Sequence, residues 1–226
     1  MIRLHLKLGS LLRIVGFLLV TTGYSAAQTY DISSGGLPTL SGSQGGSIVG
    51  TSSTVTNLNV TINWGEVSPS NTSGIITANV PIAVRGFAAY QISASVSGGT
   101  NVNPQALQRS DVGFGLARTF TRMGNLSRTC SSADTFNPAI TANPATGITT
   151  NAAGRTTYVS SLATITGSTV ILSGPTLSTT APGTIRRTDN GWILNLIFVM
   201  TPQFYAPGTN STTVTITIGA GPALVC

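Results

Sequence analysis

Apolar and polar residues alternate along most of this chain with the period of two that marks a half-buried β-strand. Leu58, Val60, Ile62 and Trp64 alternate with Asn57, Asn59, Thr61 and Asn63. Ile76, Ala78, Val80, Ile82 and Val84 repeat the pattern. Pro81 falls on the opposite face, where a residue without an amide proton predicts an edge strand or a bulge. Tyr90, Ile92, Ala94 and Val96 form a third run, and Val112, Phe114 and Leu116 a shorter one. Two more strands are expected around Tyr158–Thr166 and Ser168–Leu172, joined near Gly167.

The clearest hairpin lies near the C-terminus. Thr184 to Arg187 leads into Thr188-Asp189-Asn190-Gly191 and then Trp192 to Met200. Asn-Gly favours the left-handed backbone of a tight turn. Trp192, Leu194, Leu196, Phe198 and Met200 share one face of the second arm, with Ile193, Ile197 and Val199 on the other, which predicts burial on both sides. Pro202 ends that strand, Ala206-Pro207-Gly208 makes the next turn, and Val214, Ile216 and Ile218 alternate with threonines. No amphipathic helix is found beyond the N-terminal region. About eight or nine short strands separated by Gly, Pro and Asn predict an all-β, antiparallel β-sandwich.

Two segments break the pattern. Residues 33–53 are Gly/Ser-rich with scattered Leu, Ile and Val, a composition that predicts a flexible, extended arm. At the N-terminus, Arg3, His5, Lys7 and Arg13 precede the apolar run Ile14 to Val20, which ends in Ser25-Ala26-Ala27. A basic start, a short apolar middle and a small-residue exit form the pattern of a cleaved secretory signal. The run falls short of the roughly 20 apolar residues that span a bilayer. The expected organisation is therefore a signal peptide over 1–27, a Gly/Ser-rich arm over 28–53 and one β-sandwich domain over 54–226. No transmembrane helix is expected after signal removal, and the expected location is secreted, at the cell surface.

Composition removes several functions. The chain has 11 Lys+Arg and 5 Asp+Glu, so charged residues are only 7% of it. Without residues 1–27 no histidine and no lysine remain, and the bases are eight arginines. A nucleic-acid surface needs a dense field of basic residues against phosphate. Arg109, Arg118, Arg122 and Arg128 make only a sparse stretch, read as a solvated loop, and no nucleic-acid partner is expected. Proton-relay triads need an imidazole, Schiff-base chemistry needs a lysine, and phosphate loops of the Walker type need Gly-Lys-Ser/Thr. The five carboxylates, Asp31, Glu66, Asp111, Asp134 and Asp189, include no evident glycosidase pair. The expectation is a protein that is not an enzyme, with no cofactor and no metal site.

The candidate binding and cross-linking residues are few. Cys130 and Cys226 are disulfide candidates, within one chain or between two, because export permits the bond. Two cysteines without histidine make a poor zinc site. Among the aromatics, Tyr30, Phe136 and Tyr158 sit at positions typical of packing. Phe204 and Tyr205, just before a Pro-Gly turn, are the candidate surface-binding pair, although packing at a sandwich corner is the favoured reading of both rings.

Leu58 to Val67, Leu-Asn-Val-Thr-Ile-Asn-Trp-Gly-Glu-Val, resembles the opening strand of bacterial pilin-like and spore coat protein U-like secreted domains. Tyr90-Gln91-Ile92-Ser93 resembles their next core strand, and Phe204 to Thr209 followed by Ser211 to Ile218 their closing turn and last strand. Asn210 stands where those proteins carry tyrosine, and Cys130 and Cys226 are not placed like the early disulfide of many pilins. The resemblance implies an immunoglobulin-like sandwich exported for surface assembly. Little chain follows Ile218, so the sandwich is expected to lack a final strand and to leave an edge that a neighbour's segment fills, with residues 28–53 as the candidate donor. Two functions follow. One is a structural or adhesive surface subunit, assembling through β-strand contacts with copies of itself or other surface subunits, with a periplasmic chaperone as a further partner. The alternative is a monomeric secreted binding module, with carbohydrate as its ligand class.

Overall fold

The computed structural model describes residues 29–70, 74–86, 88–97, 105–117, 121–123, 134–176, 191–206 and 210–222. They form an all-β sandwich of two antiparallel sheets and a small hairpin. In chain order the strands are β1 (Tyr30–Ser34), β2 (Thr39–Ser41), β3 (Ser47–Thr54), β4 (Asn57–Asn63), β5 (Ile76–Gly86), β6 (Tyr90–Ser97) and β7 (Val112–Leu116). There follow β8 (Thr121–Met123), β9 (Thr135–Phe136), β10 (Ile148–Thr150), β11 (Thr156–Tyr158), β12 (Thr169–Gly174), β13 (Gly191–Met200) and β14 (Ser211–Ala220). One sheet runs β1-β5-β13-β7, with β2 following β1 along β5 and β8 lying beside β13. The other runs β3-β4-β14-β6-β12-β9.

The period-two runs build the core as their pattern dictates. Leu58, Val60 and Ile62 of β4, Ile76, Ala78, Val80, Ile82 and Val84 of β5, Ile92 and Ala94 of β6, and Val214, Ile216 and Ile218 of β14 point into one continuous cluster. Phe114 and Phe198 are directly paired across β7 and β13, their ring centroids 5.1 Å apart at 44°, a tilted contact that the ring quadrupoles favour. Trp64 is fully buried and its indole N–H donates to Thr212 Oγ1 at 3.0 Å, so its one polar atom is satisfied. The outer face of the second sheet replaces charge with hydroxyl and amide pairs. Thr61 and Thr213 share a 3.0 Å bond, and Thr215 donates to Asn59 Oδ1 at 2.8 Å.

The N-terminal segment departs from expectation. Expected as a flexible arm, it supplies β1 and β2 to one sheet and β3 to the other. Side-chain alternation is poor there, but strand pairing needs only backbone amides and carbonyls. Ile32 alone is fully buried, with Leu40 and Ile48 packed in part against the core. Asp31 faces Arg85 across the β1–β5 ladder, and Arg85 donates to Asp31 Oδ2 at 3.1 Å and to Ser33 Oγ at 3.2 Å. Removing residues 28–53 would therefore take three strands out of the sandwich.

Pro81 is not on an edge strand but in β5, which is paired on both sides. It is tolerated because it faces the interruption between β1 and β2. There Gly35 donates to the Pro81 carbonyl at 2.9 Å, and no amide of residue 81 is needed. Nor is a last strand missing in the way expected. β14 is interior, with β4 on one side and β6 on the other. The strand expected over Tyr158–Thr166 reduces to β11. The chain then crosses the margin of β7 at Ser160–Ser161 and makes a single 3-10 turn at Leu162–Thr164, which buries Leu162 and Ile165 without alternation. β13 forms as predicted, and Leu194, Leu196, Phe198, Val199 and Met200 bury both of its faces toward its C-terminal end. The first arm and turn of its hairpin (184–190), the turn at Pro207-Gly208, the signal segment 1–27, Cys130 and Cys226 lie outside the described residues.

The second face of β13 is covered by the excursion over residues 137–166, which lies across β7. The alternation Gly113-Phe114-Gly115 makes this possible: the phenylalanine points in and the glycines leave the outer face bare. A Cβ on Gly115 would collide with the Thr141 carbonyl, and one on Gly113 with Val199, Tyr158 and Pro144. Leu116 donates to the Thr141 carbonyl at 3.2 Å and Phe114 to the Ser160 carbonyl at 3.1 Å, so the excursion also closes the margin of β7. Gly115→Val should lower stability by at least about 1–3 kcal/mol through overpacking. Gly50→Val in β3, where a Cβ meets nothing within 4 Å, should be neutral within about 0.5 kcal/mol. Urea unfolding of the two variants checks the contrast, and equal midpoints would contradict it.

Candidate functional site

Two features stand out from the sandwich. The first is a cleft at the end of β13, where Pro202 stops the strand. The backbone of the next residues is tied on both sides: Gln203 donates to the Val67 carbonyl at 2.9 Å and Ala206 to the Gln105 carbonyl at 2.8 Å. The Gln203 side chain acts as a further strand residue beside β11. Its Oε1 accepts from the Thr156 amide and its Nε2 donates to the Thr156 carbonyl, both at 2.9 Å, and Nε2 also reaches the Tyr205 hydroxyl at 3.3 Å.

Arg155, at the end of the β10–β11 turn, anchors the same region from below. The turn is shaped by Asn151, whose Oδ1 accepts from the amides of Ala153 and Arg155, and by Gly154 at φ +75°. The guanidinium donates through Nε to Asp111 Oδ1 at 2.7 Å, makes a second bond to Oδ2, and reaches the Ala106 carbonyl at 2.7 Å. Asp111 is fully buried and also accepts from the Gln108 amide at 2.6 Å. The Arg155 guanidinium lies over the Tyr205 ring, 4.9 Å from its centroid.

These groups tie the β10–β11 turn, the segment before β7 and the segment after β13 to one another. Burial raises the Asp111 carboxyl above its ordinary range, against the pull of the Gln108 amide and of Arg155. Burial likewise raises the phenols of Tyr205 and Tyr158, the latter bonded to Thr201 Oγ1 at 2.7 Å, so both stay protonated at neutral pH. Among the described residues no group of three or more His, Cys, Asp or Glu side chains is placed to hold a metal ion. Asp31 and Asp134 are engaged by Arg85 and by the Tyr90 hydroxyl.

Of the aromatic pair singled out in the sequence, Phe204 is 77% exposed, whereas Tyr205 is half-buried beneath Arg155. Phe204 borders an open cleft of about 490 Å³ whose walls include Pro69, Gln105, Arg155, Gln203 and the Ala153-Gly154 turn. Tyr30 donates to the Ala89 carbonyl at 2.9 Å, Phe136 packs in part against the core, and Tyr158 is buried. Within the basic stretch, Arg109 donates to the Val96 carbonyl at 2.9 Å, while Arg118 and Arg128 lie outside the described residues. The Asp111–Arg155 pair and the role of Gln203 were not visible in the sequence. The pair spans 44 residues and no motif joins it.

The second feature is the margin of β3. Among the described residues no strand pairs with its outer side. Its register with β4 runs unbroken from Ser47 to Ser52, and a bulge interrupts it only before Thr54. Ser-Ile-Val-Gly-Thr-Ser-Ser-Thr contains no charge and no proline, and Val49 is 55% exposed. Among the described residues the other margins are short or occupied. The Val55 carbonyl accepts from Ile32 of β1 at 2.8 Å, Thr141 and Ser160 cover β7, and Asn137 covers β12 through Ile171 and Val170.

Arg155→Ala should lower stability by the lower end of the roughly 3–5 kcal/mol that follows removal of one partner of a buried pair, because the arginine side chain keeps 16% exposure. The stranded carboxyl then has a pKa above its unfolded value. The native state binds its proton more readily, so the deficit should shrink as pH falls from the raised native value toward the ordinary carboxylate range and level off below that range. Asp111→Leu with Arg155→Met should recover most of the loss. Chemical unfolding at two pH values checks both; a pH-independent deficit would contradict the assignment.

Comparison of the chain with protein-family models, with curated proteins and with solved structures returned no significant match.

Proposed function

We propose that this protein is an exported structural or adhesive subunit of a cell surface, not an enzyme, that assembles through β-strand contacts with other copies of itself or with other surface subunits. The observation that carries this reading is the open margin of β3. Sheet edges in proteins that stay apart are shortened, charged, broken by proline or covered. β3 has a bulge only at its far end, while β7 and β12 in the same molecule are covered. An extended segment added there would find regularly spaced backbone donors and acceptors over six residues in register.

The composition supports the same reading. The protein has little charge repulsion to keep its copies apart, and its polar groups are mostly hydroxyls and amides. The N-terminal signal pattern, the resemblance of Leu58–Val67 to pilin-like domains and the immunoglobulin-like kinship that it implies point toward export and surface assembly. The donor is not the segment 28–53 of a neighbour, because that segment is built into its own sandwich.

Val49→Lys with Thr51→Lys places two charges on the outer face of the open margin, where they add no buried contact. The purified protein should form higher oligomers that resist dilution. The double variant should be monomeric by analytical ultracentrifugation, with its unfolding midpoint shifted by no more than about 0.5 kcal/mol equivalent. Oligomers unchanged by the two lysines would overturn the role of β3, and a monomeric parent protein would overturn the subunit reading itself.

A further inference from the structure

The cleft beside Phe204 carries an inference independent of assembly. An exposed phenyl ring on a flexible loop means little, since scattered apolar side chains are ordinary on protein surfaces. This one is held rigidly. The residue before it is pinned by its backbone to Val67 and by its side chain to Thr156, and the segment after it is pinned to Gln105. Tyr205 is fixed between Gln203 and the guanidinium of Arg155. Phe204 therefore stands as a preformed apolar plate, 77% exposed, at the lip of a concave surface.

The chemistry of the walls selects the ligand. The cleft volume of about 490 Å³ falls within the range of about 300–1,000 Å³ usual for small-ligand sites. Among the described residues of its lining Arg155 is the only charged side chain, and its charge is matched by the buried carboxylate of Asp111. An anion such as a phosphate or carboxylate would have to compete with that pair, and a cation finds no carboxylate among the described lining residues. A purely apolar ligand would leave Gln105 and Thr156 facing hydrocarbon. A ring with one apolar C–H face and a hydroxyl periphery meets all of these conditions. Its face stacks on Phe204, and its hydroxyls, which both donate and accept, meet the amide and hydroxyl groups of the walls. At the turn, a Cβ on Gly154 would meet nothing within 4 Å, so the approach there is open.

We propose that this cleft binds a neutral sugar residue, with Phe204 as the stacking platform and the Gln203–Thr156 and Arg155–Asp111 pairs as the positioning frame.

Ligand-observed NMR of the purified full-length protein with lactose, cellobiose, maltose and chitobiose, and with sialyllactose, ATP and a proline-rich peptide as counter-probes, tests this. At least one neutral disaccharide should give saturable binding. Phe204→Ala should weaken it tenfold or more without moving the thermal midpoint, and Phe204→Trp should retain it. The Val49→Lys, Thr51→Lys protein should bind the same sugar equally well, which separates this site from assembly. Binding of only the anionic probes or the peptide, no binding of any disaccharide at millimolar concentration, or sugar binding indifferent to Phe204→Ala would each overturn the proposal.

Discussion

The outermost strand of any sheet presents backbone amides and carbonyls that need partners, and this requirement organises the whole sandwich. The protein meets it with irregular pieces of its own chain. Val55 accepts from β1, Thr141 and Ser160 pair with β7, and Asn137 caps β12 with both its backbone and its side chain. The excursion that covers β7 depends on Gly113 and Gly115, because any side chain there would hold it off the sheet. Against that background the long margin of β3, which no strand pairs among the described residues, is an exception, and the functional reading follows from it.

The shortage of charge has a second consequence. With few ions available, the described ion pairs are placed where they fix one element onto another. Asp31–Arg85 joins β1 to β5. Asp111–Arg155 joins the short turn before β7 to the hairpin that lies over it. Buried pairs of this kind add little net stability compared with apolar replacements, but they penalise any arrangement that separates them. Here the second pair fixes the turn and the tyrosine behind Phe204, so the cleft keeps its shape without a ligand.

The sandwich class, the strands β4 to β7 and β12 to β14, and most of the core were legible in the sequence, because a strand with one face in the core must alternate. What escaped was structure made by the backbone. The Gly/Ser-rich segment 33–53 looked flexible because pairing through main-chain groups leaves no apolar pattern. The run after Tyr158 looked like a strand, yet Leu162 and Ile165 are buried on a 3-10 turn. At the candidate site, Phe204 was legible from its place beside a turn. Tyr205 was not, since its cover comes from Arg155, whose anchor Asp111 is distant in the chain. The expected missing strand failed on topology: the last described strand inserts between β4 and β6, which no local pattern encodes.

The most direct test of the central claim is amide hydrogen exchange, followed by mass spectrometry, on the monomeric and assembled forms of the protein. If subunits join through β3, peptides covering Ser47–Thr54 gain strong protection on assembly, while those covering Val112–Leu116 and Thr169–Gly174 exchange at the same rate in both forms. Unchanged exchange over Ser47–Thr54 in a protein that has assembled would contradict the account.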